Sequence, residues 1–339
     1  MKRLVPTLAL LTALMAPASA VASIPAEVTG TPPHGNDGAT VVTVAPYLID
    51  VSRVNAADQS FTADLFVLLS WEDPRLAGVF DATERVSLDR IWNPQLQILN
   101  RREVETTFPE QAEVTPDGTV TARQRYFGTF SAPLDLHDFP LDRQRFAIRM
   151  VVPGFGPDEV RLETAPAEVA GSGRSAEFSI PDWELSGLQT RPEPFGVAES
   201  GRVISGYLLS FEGRRHIGFW AGKAFTSVAI IIAMSWVVFW IDPKFVAPRL
   251  SVAVTSMLTL IAYRFLLGAL LPRLSYLTRM DFFLIGATLL VLATVVQVAV
   301  TTRAEDRDQG RRARRINRHS RWLFPSMLLV LMAVAFLTA

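Results

Sequence analysis

Six residues between Pro248 and Pro272 have types and a spacing suited to handling ions: Ser251, Thr255, Leu258, Ala262, Phe265 and Ala269. On a helix turning about 100° per residue they fall within a stripe about 80° wide. One end of the stripe carries hydroxyls, and its middle and far parts are apolar. The rest of the circumference is largely Leu, Ile, Val and Met, with Arg264 among them, which suits a helix meeting protein and lipid on most sides and water on one. A single helix encloses nothing, but several copies around an axis form a tube with rings of Ser, Thr, Leu, Ala and Phe, and its apolar rings can close it by dewetting. The alternative is a packed membrane helix whose Ser and Thr bond back to their own carbonyls. Enzymatic chemistry has little to work with. There is no cysteine, which removes thiolate ligands and thiol nucleophiles, and histidines at 34, 137, 216 and 319 lack metal-ligand spacing. No Ser-His-Asp arrangement or phosphate loop occurs, so no enzyme, metal or cofactor is expected.

The elements that must position this stripe are of two kinds. The chain has 33 basic and 33 acidic residues, so no global field points to nucleic acid. Lys2 and Arg3, an apolar run to Ala16 and the small residues Ala18-Ser19-Ala20 predict a signal peptide over 1–20, followed by a flexible lead-in over 21–39. Residues 40–215 alternate and turn as an all-β immunoglobulin-like sandwich, with β-rich runs such as Val41 to Val54, Phe61 to Trp71 and Thr119 to Phe130. From 216 to 339 the chain becomes all-α, with four apolar segments of spanning length at about 217–241, 250–271, 282–302 and 322–339. The stretch 303–321 holds eight Arg against three acids and reads as a cytoplasmic linker touching lipid headgroups; the sandwich is then periplasmic, on a bacterial inner membrane.

Several motifs resemble the pentameric ligand-gated ion channels, the Cys-loop receptor superfamily, and its bacterial branch in particular. Ala132 to Phe146, with Phe139-Pro140-Leu141-Asp142 and Gln144, resembles the signature loop, Ala132 and Phe146 standing where animal receptors carry cysteines. Trp71-Glu72-Asp73-Pro74-Arg75-Leu76 and Trp92-Asn93-Pro94 resemble two binding-site segments. The resemblance implies a homopentamer of this chain and four further copies, gated by a small-molecule agonist such as an amine, or by protons, and passing inorganic ions. It implies a ligand site between neighbouring sandwiches, with Trp71, Trp92, Phe155 and Phe195 as candidates and 190–201 as a capping loop. Trp71 and Trp92 are equally compatible with the sandwich core.

At the junction with the membrane the resemblance implies coupling through Phe139 and Pro140 and through a charge cluster of Asp58, Asp142 and Arg215. A guanidinium can bridge two carboxylates. The acid-free stretch Val246-Ala247-Pro248-Arg249 resembles anion-selective members, and five copies of Arg249 at the inner mouth would favour anions. A sandwich anchored by four helices as a periplasmic sensor without a pore is the rival reading.

Overall fold

Alternation of buried and exposed side chains drives the first part of the chain into strands, and continuous apolar runs drive the second into helices. The computed structural model describes residues 24, 28–34, 38–166, 173–197, 201–218, 220–269, 274–307 and 309–337. The expected signal peptide, much of the lead-in, 198–200 of the capping loop and the end of the second apolar segment at Leu271 lie outside the described residues.

The strands are β1 (Thr40–Asn55), β2 (Ser60–Glu72), β3 (Glu84–Ser87), β4 (Gln97–Ile98), β5 (Arg101–Thr106), β6 (Gln111–Val114), β7 (Thr119–Ser131), β8 (Arg143–Val151), β9 (Val160–Thr164), β10 (Gly173–Arg174), β11 (Trp183–Pro192), β12 (Phe195–Val197), β13 (Arg202–Ile204) and β14 (Gly206–Arg215). One sheet runs β10-β1-β2-β7-β6-β3, with β9 also on β1 and β5 also on β7. A second runs β11-β14-β8-β4, and β12 and β13 form a separate hairpin. Between the sheets, Phe61 from β2 meets Phe146 from β8 at 5.2 Å and Phe211 from β14 at 5.8 Å, ring centre to ring centre. Each such buried ring contributes about 1.5–3 kcal/mol of transfer free energy. At the turn between β6 and β7, Gly118 has φ +89°, and a Cβ there would lie 2.6 Å from the Asp73 carbonyl oxygen, so only glycine fits.

The helical part begins with a wide π turn over Trp220–Phe225 and continues as α1 (Thr226–Trp236), a 3-10 turn over Val237–Phe239, α2 (Val246–Gly268), α3 (Arg279–Asp306) and α4 (Gly310–Leu337). Four stretches, Gly222–Phe239, Val246–Gly268, Arg279–Asp306 and Gly310–Phe336, are long and apolar enough to cross a membrane. A capping box, Thr278 with Asp281, starts α3. Helix α2 starts at Val246, with Pro248 in its first turn, where a missing N–H costs no intrahelical bond. The stretch expected as a basic linker is helical over 303–306 and 310–321. Arginine is a good helix former, and Ala313, Asn317 and Ser320 give this part of α4 a buried strip.

Candidate functional site

Helix α2 buries one side and exposes the other. Arg249, Ala253, Ser256, Leu260 and Leu267 are buried. Ser251, Thr255, Leu258, Ala262, Phe265 and Ala269 are all exposed, Leu258 to 62% and Phe265 to 78%. At about 100° per residue the two stripes are centred nearly opposite one another. The hydroxyls of Ser256 and Thr259 donate back to the carbonyls of Val252 and Thr255. Those of Ser251 and Thr255 make no side-chain hydrogen bond among the described residues, so they stay open to solvent.

Arg249 lies on the buried side, which corrects its expected place at an ion pathway. It is fully buried, with Nε donating to the Val238 carbonyl at 3.2 Å, Nη1 to Thr301 Oγ1 at 3.0 Å and Nη2 to Asn317 Oδ1 at 2.9 Å. Asn317 Oδ1 also accepts from Gln297 Nε2 at 2.7 Å. A guanidinium removed from water needs acceptors, and here they come from the end of the first span, α3 and α4. Its charge ties helices together and points away from the exposed stripe, so the anion argument built on it falls.

The aromatic candidates of the sandwich divide in two. Trp71 and Trp92 pack edge to face at 5.8 Å and are only 2% and 3% exposed, so both sit in the sandwich core, and Trp71 also forms part of a cavity wall. Phe155 lies 6.4 Å beyond Trp92 and is half-buried, as is Phe195 on the β12-β13 hairpin. The base of that hairpin is stitched to the Phe155 loop: Ser205 N donates to the Phe155 carbonyl at 2.9 Å, and Val152 N donates to the Ser205 carbonyl at 2.9 Å. Glu193 clamps the same base, accepting from Arg149 Nη1 at 2.8 Å and Arg191 Nη2 at 2.5 Å. Burial pushes the Glu193 carboxyl up, but the Arg191 hydrogen bond and the two arginine charges outweigh it and hold it below the usual range. A cavity of about 570 Å³ lies under Trp71, lined also by Asn93, Gln95, Arg101, Gln124 and Tyr126.

Where the sandwich meets the helices, two clusters join them. Arg215 donates to Asp142 from Nε at 2.8 Å and from Nη2 at 3.2 Å, and its guanidinium carbon sits 4.2 Å from the Trp183 ring centre and 5.0 Å from that of Phe139. Gln144 Nε2 donates to Asp142 Oδ2 at 2.7 Å. Phe139, followed by a cis bond to the buried Pro140, packs edge to face on Trp220 at 4.7 Å. Asp58 does not belong to this cluster: it is exposed, and its backbone N and carboxylate bond Asn55 within their own tight turn. In the second cluster the His137 and Tyr276 rings stack at 3.7 Å and 9°. Leu136 N donates to Tyr276 Oη at 3.1 Å, Arg279 N to the His137 carbonyl at 3.0 Å, Met280 N to the Phe139 carbonyl at 3.2 Å, and Arg279 Nε to Asp138 Oδ1 at 2.7 Å. The loop before β8 thus grips the approach to α3, immediately beyond α2.

Two family models match consecutive parts of this architecture. Neurotransmitter-gated ion-channel ligand binding domain matches residues 29–193, and neurotransmitter-gated ion-channel transmembrane region matches 228–309. The chain belongs to the pentameric ligand-gated ion channels. It is 25% identical over 305 residues to the proton-gated ion channel of Gloeobacter violaceus, covering 88% of this chain and 83% of that one. It is also 25% identical over 274 residues to the glycine receptor subunit beta of Homo sapiens and Rattus norvegicus, covering 76% of this chain. The chain spans about half the length of those receptor subunits, 54%. In this ligand-gated ion channel, Phe195, Arg215 and all of α4 lie outside the two matched stretches.

The structure also brings Tyr276, Arg279, Asp138, Trp183 and Trp220 into the junction, none of which is singled out by the sequence. The signal for Arg279 and Asp138 is faint because each is an ordinary surface charge until the loops meet. Both binding-site-like motifs contribute to the cavity wall, through Trp71 and through Asn93 and Pro94, while the rest of its lining comes from strands and loops far apart in the chain.

Proposed function

We propose that five copies of the chain surround an axis normal to a bacterial inner membrane, with the exposed stripe of α2 facing that axis and the sandwiches on the periplasmic side. What carries this reading is the opposition of the two stripes of α2. A helix packed on its own subunit by Ala253, Ser256 and Leu260 has its Ser251, Thr255, Leu258, Ala262 and Phe265 side free for a water-filled lumen. Leu258 and Phe265 narrow it with apolar rings that hold the closed state dry, and the hydroxyls of Ser251 and Thr255 contact hydrated ions. A small-molecule agonist binds between sandwiches beside Phe155 and Phe195, where the Glu193-clamped hairpin forms a cap. Its effect passes through the Asp142–Arg215 and His137–Tyr276 clusters to the loop that joins α2 to α3. The basic residues about 303–321 support the orientation by the positive-inside rule.

A second stimulus, protons, is favoured by one observation. His137, an exposed titratable ring, lies 2.6 Å from Asp135 Oδ1 and stacks on Tyr276 within the junction, and a relative is named a proton-gated channel. The test is ion flux from vesicles holding the purified full-length protein, screened with amines, amino acids and acid, alongside its mass in detergent. A stimulated flux from a pentamer supports the reading. A monomer, or an oligomer that passes no ions under any stimulus, returns the chain to the sensor reading.

A further inference from the structure

The first turn of α2 is held to the other three spans by a single side chain, Arg249, and one of those ties comes from α4. Asn317 Oδ1 accepts from Arg249 Nη2 at 2.9 Å and from Gln297 Nε2 at 2.7 Å, while Asn317 Nδ2 donates to the Ile241 carbonyl at 3.5 Å. All three side chains are buried. Gln297 Oε1 has no hydrogen-bond partner among the described residues, which leaves the Asn317 oxygen as the acceptor at the centre of the network. Arg249 forms no ion pair among the described residues. Its charge rests on neutral oxygens: Thr301 Oγ1, the Asn317 amide and the Val238 carbonyl at the C-terminal end of the first span, where the helix dipole favours a cation. Hydrogen bonds with one charged partner are the stronger ones.

We infer that Asn317 is a positioning residue for α2: through Arg249, α4 sets the rotation of the helix that carries the exposed stripe. The bond from Arg249 to Asn317 is the one hydrogen bond between α2 and α4 among the described residues. It acts from behind, because at 100° per residue Arg249 projects about 160° away from the centre of the stripe. Along the axis Arg249 stands about 9 Å from Thr255 and about 14 Å from Leu258. Backbone hydrogen bonds keep the intervening residues in register, so a turn imposed at Arg249 carries Ser251 and Thr255 round with it. Ser320 lies on the same buried strip of α4 but bonds only its own helix, donating to the Ile316 carbonyl at 3.0 Å, which separates this tie from the packing of α4 in general. Two substitutions act on the tie with opposite sign. Asn317→Leu removes the acceptor. Asn317→Asp keeps the oxygen, loses only the long bond to Ile241, and sets a full negative charge against the guanidinium.

The positioning holds whether or not the stripe lines a pore, so its failure would leave that reading untouched. The chain has no cysteine, and Thr255→Cys therefore supplies a single reporter on the stripe. The experiment is the rate at which a charged methanethiosulfonate reagent modifies full-length T255C in detergent, alone and with N317L, N317D, S320A, R249Q or N317L/R249Q added. N317L and N317D should move the rate in opposite directions, each by about fivefold, as expected when one hydrogen bond to a charged group is lost or strengthened. S320A should stay within about twofold of T255C alone. R249Q should repeat the change seen with N317L, and the two together should go no further than either one, because both remove the same bond. Rates that shift the same way in N317L and N317D, or stay within about twofold of T255C alone in both, overturn the positioning. An S320A change as large as that of N317L, or additive changes in N317L and R249Q, also overturns it. Should N317L fail to assemble, N317D and R249Q, expected to move the rate in opposite directions, decide the matter.

Discussion

Replacing Arg215 by alanine removes the one group that joins Asp142 to the rings of Phe139 and Trp183. The contact is bidentate, at 2.8 and 3.2 Å, and the two side chains are only 7% and 1% exposed. At an effective dielectric of about 20, unit charges about 4 Å apart attract by about 4 kcal/mol. Each ring face adds about 0.5–2 kcal/mol. Desolvation of both charges offsets much of that sum, so the intact pair contributes little net stability. Truncating one partner is different, because it strands a buried carboxylate at a cost of about 3–5 kcal/mol. Asp142 keeps the Gln144 amide at 2.7 Å, which places the expected loss near 3 kcal/mol, at the lower end of that range. If the open state depends on this junction, a loss of that size moves the opening equilibrium by about 100-fold. The assay is a double-mutant cycle over Arg215→Ala, Asp142→Ala and both together, read by thermal unfolding in detergent and by vesicle flux. The double variant should be less damaged than the sum of the singles by about 1 kcal/mol or more. Wild-type flux in Arg215→Ala, or a coupling energy indistinguishable from zero, would refute the reasoning.

Leu258→Ser should wet the closed pore and raise resting flux from vesicles; assembled channels with unchanged resting and stimulated flux would remove Leu258 from the gate. Arg249→Gln should leave the reversal potential under a salt gradient unmoved, because the guanidinium faces the helix bundle, while lowering thermal stability by about 1–3 kcal/mol through lost hydrogen bonds. A changed reversal potential at normal stability would return Arg249 to the ion pathway. Because the Glu193 carboxyl is held below its ordinary range, the stability it contributes is complete above the unfolded value of about 4.3 and is lost as pH falls through the lowered one. Hydrogen exchange of 190–197 and 202–206, corrected for intrinsic rate, should therefore be constant from pH 7.5 to 5 and accelerate only in stronger acid. Glu193→Gln should exchange fast throughout, and loosening of the wild type already at pH 6 would contradict the clamp.

Periodicity within a short window was enough for the architecture, because burial of one face is a local property of the pattern. Long alternating runs such as β1, β2 and β7 and the four apolar segments declare themselves without knowledge of their partners. The stripe of Ser251, Thr255, Leu258, Ala262 and Phe265 was legible for the same reason. Strands of two to six residues, among them β3, β4, β5, β9 and β12, were not, since they are too short to establish a period and are held by neighbouring strands. The helical start of α4 was hidden by its charge, which a count of apolar residues reads as loop.

Direction and partnership belonged to the tertiary structure alone. Arg249 at the start of α2 reads equally well as a pore-mouth charge or a buried tie, and what decides is Asn317, 68 residues away. Asp58 and Asp142 are equivalent as letters, yet the fold leaves one in a solvent-exposed turn and encloses the other with Arg215. Trp71 and Trp92 carry binding-site motifs but face each other across the core. His137 and Tyr276, remote in sequence, become stacked rings at the junction. The physical reason is common to all of these. Type and spacing determine which surface a residue prefers, whereas the partner that satisfies a charge or covers a ring is set by where distant segments are brought to meet.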